Sequence, residues 1–514
     1  MIIKVKVLNI FFLLLIFFIA LQLSFRTDYL FNSDHGFHLS YFIQPIVGIE
    51  SGYKLLLDQP SQYGFLNILI PHILDINGPI NSFHIFQGVL NIITIFIAFF
   101  IAVRILKLKN YSFFIFLFSI ILLLSSTDLF GPQVYPSTGV VRFFPVYILI
   151  LCQCFIRNNN YSKTREISIL SIVLCSSLLW AAEASFYVLF SIGFYYLQEL
   201  LYQPCIKKLK EVLFKGFSII TISITLSYIV LKIYQNSFDI ESLNLGLHFS
   251  YLMAYSYGFG MTLGAIIPNI FSPILLITVP LLLALIMNRK NKENYLTIAC
   301  YGSIIIAVIS YSFMRSIANN INNLWPIFFL CFSIIYYEMK DRNSEEENYS
   351  LKVILLPTVL IASLCFSNIV INYKKIPEIM STYSFTIDNN LFKKSFQLEE
   401  EDKSILKEIE KIDWKKSSLS ILTWSGKTGN TFNENYKPFL PGPSVSMTYH
   451  SNDYIEKIFR NSYIFKNRNG YILHDKKWNT YENILKIVKN IKSCKSLIQS
   501  NRYDFYECYS VEER

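Results

Sequence analysis

Five charged residues have types and surroundings suited to chemistry on a phosphorylated substrate. They are Asp34 and Asp58 in a long polar stretch after the first apolar run, Arg142 in STGVVRFFP, Glu183 in LLWAAEASFYVLF and Arg315 in YSFMRSIANNINNLWP. Arginine grips phosphate oxygens through a two-pronged fork, and a carboxylate in partly apolar surroundings can act as a general base. Ionisable groups at membrane depth cost a few kcal/mol each, so they are kept for a purpose or a partner. As a set they suit binding of a phosphorylated lipid and deprotonation of a nucleophile. Each also has a plainer use. Asp58 in LLDQPSQYG can cap a helix or build a turn, the two arginines can anchor at the interface, and Glu183 can pair with one of them. Asp28 and Glu50 read as solvated loop residues. His35, His38, His72 and His248 are dispersed, which suits hydrogen bonding better than a metal set. No cofactor is expected, with a divalent metal as the lesser option.

The elements that must position these residues are apolar. Of 514 residues 53% are hydrophobic and 16% charged, against about 25% charged in ordinary globular chains. The apolar residues fall in long runs, the signature of a polytopic α-helical membrane protein. Eleven such runs are expected to span, at about 7–24, 83–103, 111–126, 140–156, 167–182, 184–202, 214–234, 264–287, 294–313, 321–338 and 353–372. The first follows Lys4 and Lys6 and lacks small residues at the spacing of a cleavage site, so it reads as an uncleaved anchor. Alternate connectors carry Arg104, Lys107 and Lys109; Arg157, Lys163 and Arg165; Lys207, Lys208, Lys210 and Lys215; Arg289, Lys290 and Lys292; and Lys340, Arg342 and Lys352. That asymmetry puts the N-terminus and these connectors in the cytoplasm and residues 25–82 outside. It also accounts for the net charge of +10 without nucleic acid.

The outer stretch 25–82 is long for a connector without a function. Its segment 62–75 (QYGFLNILIPHILD) is short and contains Pro71, so it is expected to lie flat at the interface; 236–262 is a second amphipathic outer loop. Two domains are expected: a membrane domain over 1–375 and a soluble extracytoplasmic α/β domain over 376–514. In the latter, 418–424, 470–475 and 503–511 read as strands, with helices around 398–412 and 480–493. Cys494 and Cys508 are disulfide candidates in an oxidising compartment. The string SGKTG (425–429) lacks the glycine a phosphate loop needs at position 421, which is Ile421.

The pattern resembles the GT-C superfamily of membrane glycosyltransferases, which use polyprenyl-phosphate sugar donors, as protein mannosyltransferases, aminoarabinose transferases and arabinofuranosyltransferases do. The resembling residues are Asp34-His35-Gly36-Phe37-His38, Gly52-Tyr53, Asp58 and Tyr63-Gly64-Phe65-Leu66. Further along come Asn77-Gly78-Pro79, then Trp180-Ala181-Ala182-Glu183, and Tyr311 through Asn323. The chain departs from the family where Asp34 is followed by His35 rather than by a second acid, and where the Tyr63-Gly64-Phe65 turn lacks proline.

The resemblance implies an inverting sugar transfer at the outer face of a bacterial inner membrane. The donor would be a polyprenyl-phosphate-linked sugar, and the acceptor a cell-envelope glycan, lipid or protein. Asp34 would be the general base, and Arg142 and Arg315 would hold the donor phosphate. Asp58, Glu183, His38, Tyr63 and Tyr311 would position substrate. The rival is a transporter or flippase of lipid-linked saccharides, which should gather its polar groups near the bilayer midplane on related halves.

Overall fold

The computed structural model describes residues 2–27, 36–56, 58–59, 61, 63–125, 139–159, 161–236, 268–314, 321, 323–340 and 348–372. Beyond these it describes 374, 384, 407, 409, 411–413, 417–422, 437–441, 452–477 and 479–510. Helices dominate. In chain order they are α1 (Ile2–Ser24), α2 (Gly36–Glu50), α3 (Leu66–Leu74), α4 (Pro79–Phe100, continued by a π-helical turn Ile101–Ile105) and α5 (Asn110–Ser125). Then follow α6 (Val140–Asn158), α7 (Lys163–Trp180), α8 (Ala182–Tyr202), α9 (Ile206–Gln235), α10 (Pro268–Met287), α11 (Lys292–Met314), α12 (Trp325–Lys340) and α13 (Asn348–Asn372). A helix thus falls within or over each of the eleven apolar runs, though not always to the expected ends. Among the described residues four stretches are long and apolar enough to cross a membrane: Pro79–Ile105, Val140–Asn158, Ile206–Gln235 and Lys292–Tyr311. Shorter apolar helices run Phe11–Ser24, Tyr111–Leu124, Ile274–Met287 and Tyr349–Ser363. On α9, Leu213, Phe214 and Phe217 stand more than half exposed, an arrangement suited to lipid rather than water.

The stretch after α1 is more structured than its glycine punctuation suggests. Between the first two apolar runs it forms α2, a helix that tolerates Pro45 in its interior and buries Leu39, Tyr41, Phe42, Ile43 and Ile46. Segment 62–75 forms only the two-turn helix α3, closed by Asp75 in the left-handed conformation. Ile73 and Leu74 at its end are exposed. Residues 237–267, which hold all but the first residue of the second outer loop, lie outside the described residues.

The C-terminal region has a four-stranded sheet: β1 (Leu419–Leu422), β2 (Gly470–Asp475), β3 (Ser493–Gln499) and β4 (Tyr503–Tyr509), in the order β1-β2-β4-β3. The β1–β2 pair is parallel and the other two pairs are antiparallel. Two short helices, α14 (Asn452–Asn461) and α15 (Tyr463–Asn467), lead into β2. The helix α16 (Glu482–Ile491), entered through a 3₁₀ turn at Asn479–Tyr481, follows it. The helix expected at 480–493 therefore ends before Ser493, where an additional strand begins. A disulfide joins Cys494 to Cys508, which face each other across the β3–β4 pair. Of the helix expected at 398–412, most lies outside the described residues, as does SGKTG.

This region is docked on the turn after α2. The guanidinium of Arg468 donates to the Ser51 carbonyl at 2.6 Å and to the Pro438 carbonyl at 3.2 Å, and lies 5.3 Å from the Tyr53 ring. Tyr53 in turn donates its hydroxyl to the Phe439 carbonyl at 2.6 Å. Burial pushes the Tyr53 phenol upward from its ordinary range, with Arg468 pulling against it.

Candidate functional site

Arg142 is the centre of a polar cluster that joins separate helices. It sits on the first turn of α6, entered from Gly139 at φ +67°, and its side chain is 1% exposed. One guanidinium nitrogen lies 3.2 Å from the Glu183 carboxylate and the other donates to the Tyr63 hydroxyl at 2.9 Å. The Tyr63 and Tyr311 rings stand 5.3 and 5.0 Å from its carbon. A cation held between aromatic faces and a carboxylate is compensated for its lost hydration. Four of the residues singled out in the sequence, Tyr63, Arg142, Glu183 and Tyr311, therefore meet here, from four separate segments.

The geometry around the cluster comes from a one-residue break between α7 and α8. Ala181 is extended, which leaves the carbonyls of Leu179 and Trp180 outside the helical ladder. The start of α3 supplies their donors. The Phe65 amide donates to Leu179 at 2.9 Å, and the side-chain amide of Asn67 donates to Trp180 at 3.3 Å. The same Asn67 amide donates to the carbonyls of Tyr63 at 3.0 Å and Val141 at 3.4 Å. The Trp180 indole closes the ring by donating to Val141 at 2.6 Å. Gly64, at φ +79°, lets the chain pass directly over the Trp180 carbonyl, where a Cβ would collide. Buried polar groups need partners, and these bonds hold Tyr63, the residue before Arg142 and the start of α8 in one frame.

Aromatic rings carry the frame outward. Tyr63 stacks on Phe42 at 4.6 Å and meets Tyr41 edge-on at 5.9 Å, which ties α2 to the cluster. Phe143 packs against Tyr187 and Tyr311 at 5.6 and 5.4 Å, and Asn323 donates to the Tyr311 hydroxyl at 3.3 Å.

The remaining candidates separate from this group. Asp58 accepts from the Lys54 amide at 2.8 Å and shapes the turn Lys54–Gln59, the plainer of its two uses. Burial raises its carboxyl above the usual range, while the Lys54 amide and ammonium hold it down. The Lys54 ammonium donates to the Gln235 carbonyl at 2.7 Å, joining this turn to the end of α9. Asp34, Arg315 and the side chain of His38 lie outside the described residues. Among the described residues no group of three or more His, Cys, Asp and Glu is arranged to hold a metal ion.

Two contributors escape sequence reasoning. Asn67 is a lone amide in the apolar string LNILIPHIL, and that isolation is the only signal it carries. Tyr187 lies one helical turn beyond Glu183, but it is one tyrosine among 34.

At its other end α6 carries a second ion pair, between the mostly buried Arg157 and the buried Glu338. Arg157 lies 3.7 Å from Glu338 of α12 and donates to the Thr297 hydroxyl of α11 at 2.5 Å. Glu338 also accepts from Thr297 and Tyr301, each at 3.3 Å. Helices α6 and α11 are therefore antiparallel and fastened at both ends, through Arg142–Tyr311 and Arg157–Thr297. The arginines are about 22 Å apart along α6, at 1.5 Å per residue.

The fold defines a mostly helical protein with several membrane-length apolar helices, a buried arginine clasp and a small appended sheet. No protein-family model matches the chain, and no curated protein matches it.

Proposed function

We propose that this protein is a membrane glycosyltransferase of the GT-C type. It would cross the bilayer eleven times, with its N-terminus in the cytoplasm and its C-terminal domain outside. It transfers a sugar from a polyprenyl-phosphate donor to a cell-envelope glycan, lipid or protein. Asp34 removes the proton from the acceptor hydroxyl, whose oxygen attacks the anomeric carbon. The bond from that carbon to the phosphate oxygen breaks, the configuration inverts, and polyprenyl phosphate leaves with its negative charge met by Arg315.

The observation that carries this reading is the Arg142 clasp and what adjoins it. Helix α2 begins two residues after Asp34 and is held through Phe42 on Tyr63. Helix α11 ends one residue before Arg315 and is held through Tyr311 on Arg142. The clasp thus anchors both segments from which the proposed base and the proposed phosphate ligand emerge. Arg142 itself is neutralised by Glu183, so its first duty in this reading is positioning. It reaches a donor phosphate only by exchanging Glu183 for it. The two-ended fastening of α6 to α11 favours a fixed scaffold over the rocking halves of a transporter.

The test uses the purified protein in liposomes with a polyprenyl-phosphate sugar and an envelope-lipid extract as acceptor. Free polyprenyl phosphate should appear, and Asp34→Asn should abolish its release while leaving the protein folded. Intact donor moving between leaflets, with no polyprenyl phosphate formed, would replace this reading by the flippase.

A further inference from the structure

A recess of about 730 Å³ opens where the turn between α10 and α11 meets the first turn of α13. Asn288, Asn291 and Ser350 line its polar interior, and Lys290, Lys292 and Glu293 line its rim. Asn288 and Ser350 are buried. The interior is ordered by side-chain bonds: Asn291 caps α11 by accepting from the Asn294 amide at 3.2 Å, and the Asn294 side chain donates to Asn288 at 3.4 Å. Beside it Tyr349, 73% exposed, carries the Lys352 ammonium 5.3 Å from its ring. Two lysines thus stand against one glutamate on this rim, with Lys352 a third cation at the adjoining Tyr349. The recess also lies at the N-terminal ends of two long helices, where the backbone dipoles are positive.

Lysines that only set topology need no structured polar cavity behind them. Here the cations frame one, at the end of an apolar helix pair, next to an exposed tyrosine of the kind that settles at a lipid headgroup boundary. We propose that the recess binds the phosphodiester headgroup of an anionic phospholipid. Lys290 and Lys292 pair with the phosphate, the asparagines and Ser350 receive the polar headgroup, and Tyr349 rests against the first acyl carbons. The site is independent of the Arg142 cluster and of the reaction proposed there.

Binding would be measured on the full-length protein in neutral detergent by native mass spectrometry and by the shift in unfolding temperature. The probes are short-chain phosphatidylglycerol, phosphatidylcholine of the same chain length, and inorganic phosphate. Phosphatidylglycerol should bind best. Lys290→Gln with Lys292→Gln should weaken it about tenfold. Glu293→Gln should tighten it, and Lys207→Gln with Lys210→Gln, on a different basic connector, should leave it unchanged. Equal binding of the two lipids, or equal weakening by the Lys207 and Lys210 changes, would overturn the proposal. Inorganic phosphate binding as tightly as the lipid would also overturn it, by assigning the recess to a free anion.

Discussion

Arg142 and Arg157 occupy opposite ends of α6, the first buried and the second mostly buried, each against a glutamate from a different helix, Glu183 and Glu338. Removing one partner of a buried pair leaves an uncompensated charge, which costs about 3–5 kcal/mol, whereas replacing both by apolar residues is often close to neutral. Arg142→Met should therefore lower the unfolding midpoint in detergent steeply, and Arg142→Met with Glu183→Leu should restore most of the loss. Because the arginines are about 22 Å apart, Arg142→Met and Arg157→Met should add to within about 0.5 kcal/mol. A single Arg142→Met variant as stable as wild type would mean that the Glu183 charge is not buried against it.

Gly64 is constrained in two ways at once. Its φ of +79° is a conformation that side chains resist, and a Cβ there would strike the Trp180 carbonyl. Backbone strain of this kind costs about 1–3 kcal/mol, and the collision adds to it by pushing α3 away from the α7–α8 break. Gly64→Ala should destabilise the protein and disturb the environment of Trp180, read as a shift in tryptophan fluorescence. Gly216, inside α9, supplies the control, since a Cβ there meets nothing within 4 Å. Gly216→Ala should be neutral or stabilising by up to about 1 kcal/mol, because alanine is the better helix former. Equal effects at the two positions would remove the argument that Gly64 holds the frame.

What the sequence disclosed follows from the solvent each segment meets. The apolar runs were legible because continuous hydrophobicity stands out in composition, and helices lie in them; among the described residues four stretches have the length and apolarity of a membrane span. Arg142 and Glu183 were legible as residues because charge among apolar neighbours is costly. Their pairing was legible only as one alternative, since spacing along the chain carries no information about which helix ends meet. Asn67 escaped notice because its role lies in bonds to the carbonyls of Val141 and Trp180, from distant segments, as well as to Tyr63. The break between the runs 167–182 and 184–202 was legible but placed at Glu183; it falls at Ala181, because the donors of Phe65 and Asn67 meet the carbonyls of Leu179 and Trp180 there. β3 was missed because SCKSLIQ is an edge strand whose side chains are largely exposed, so the usual alternation of strand burial is absent. Asp58 shows the opposite outcome, an acid whose resemblance to a substrate ligand competes with an ordinary place in a turn.

His474 provides a pH signature for the C-terminal region. It is 3% exposed on β2, and neither ring nitrogen has a hydrogen-bond partner among the described residues. Burial lowers its pKa below the usual histidine value. Asp504, Glu482 and Asp475 pull upward and Lys489 pushes further down. A histidine kept neutral in the folded state binds fewer protons there than in the unfolded chain. Its contribution is therefore intact above the unfolded pKa of about 6.5 and is lost as pH falls through that value, levelling off below the lowered folded pKa. The unfolding midpoint of the C-terminal region, followed by hydrogen exchange at the β2 and β4 amides, should drop between about pH 7 and pH 5. His474→Phe should flatten that slope while keeping the ring volume. A slope that persists unchanged in His474→Phe would show that His474 does not carry the acid sensitivity.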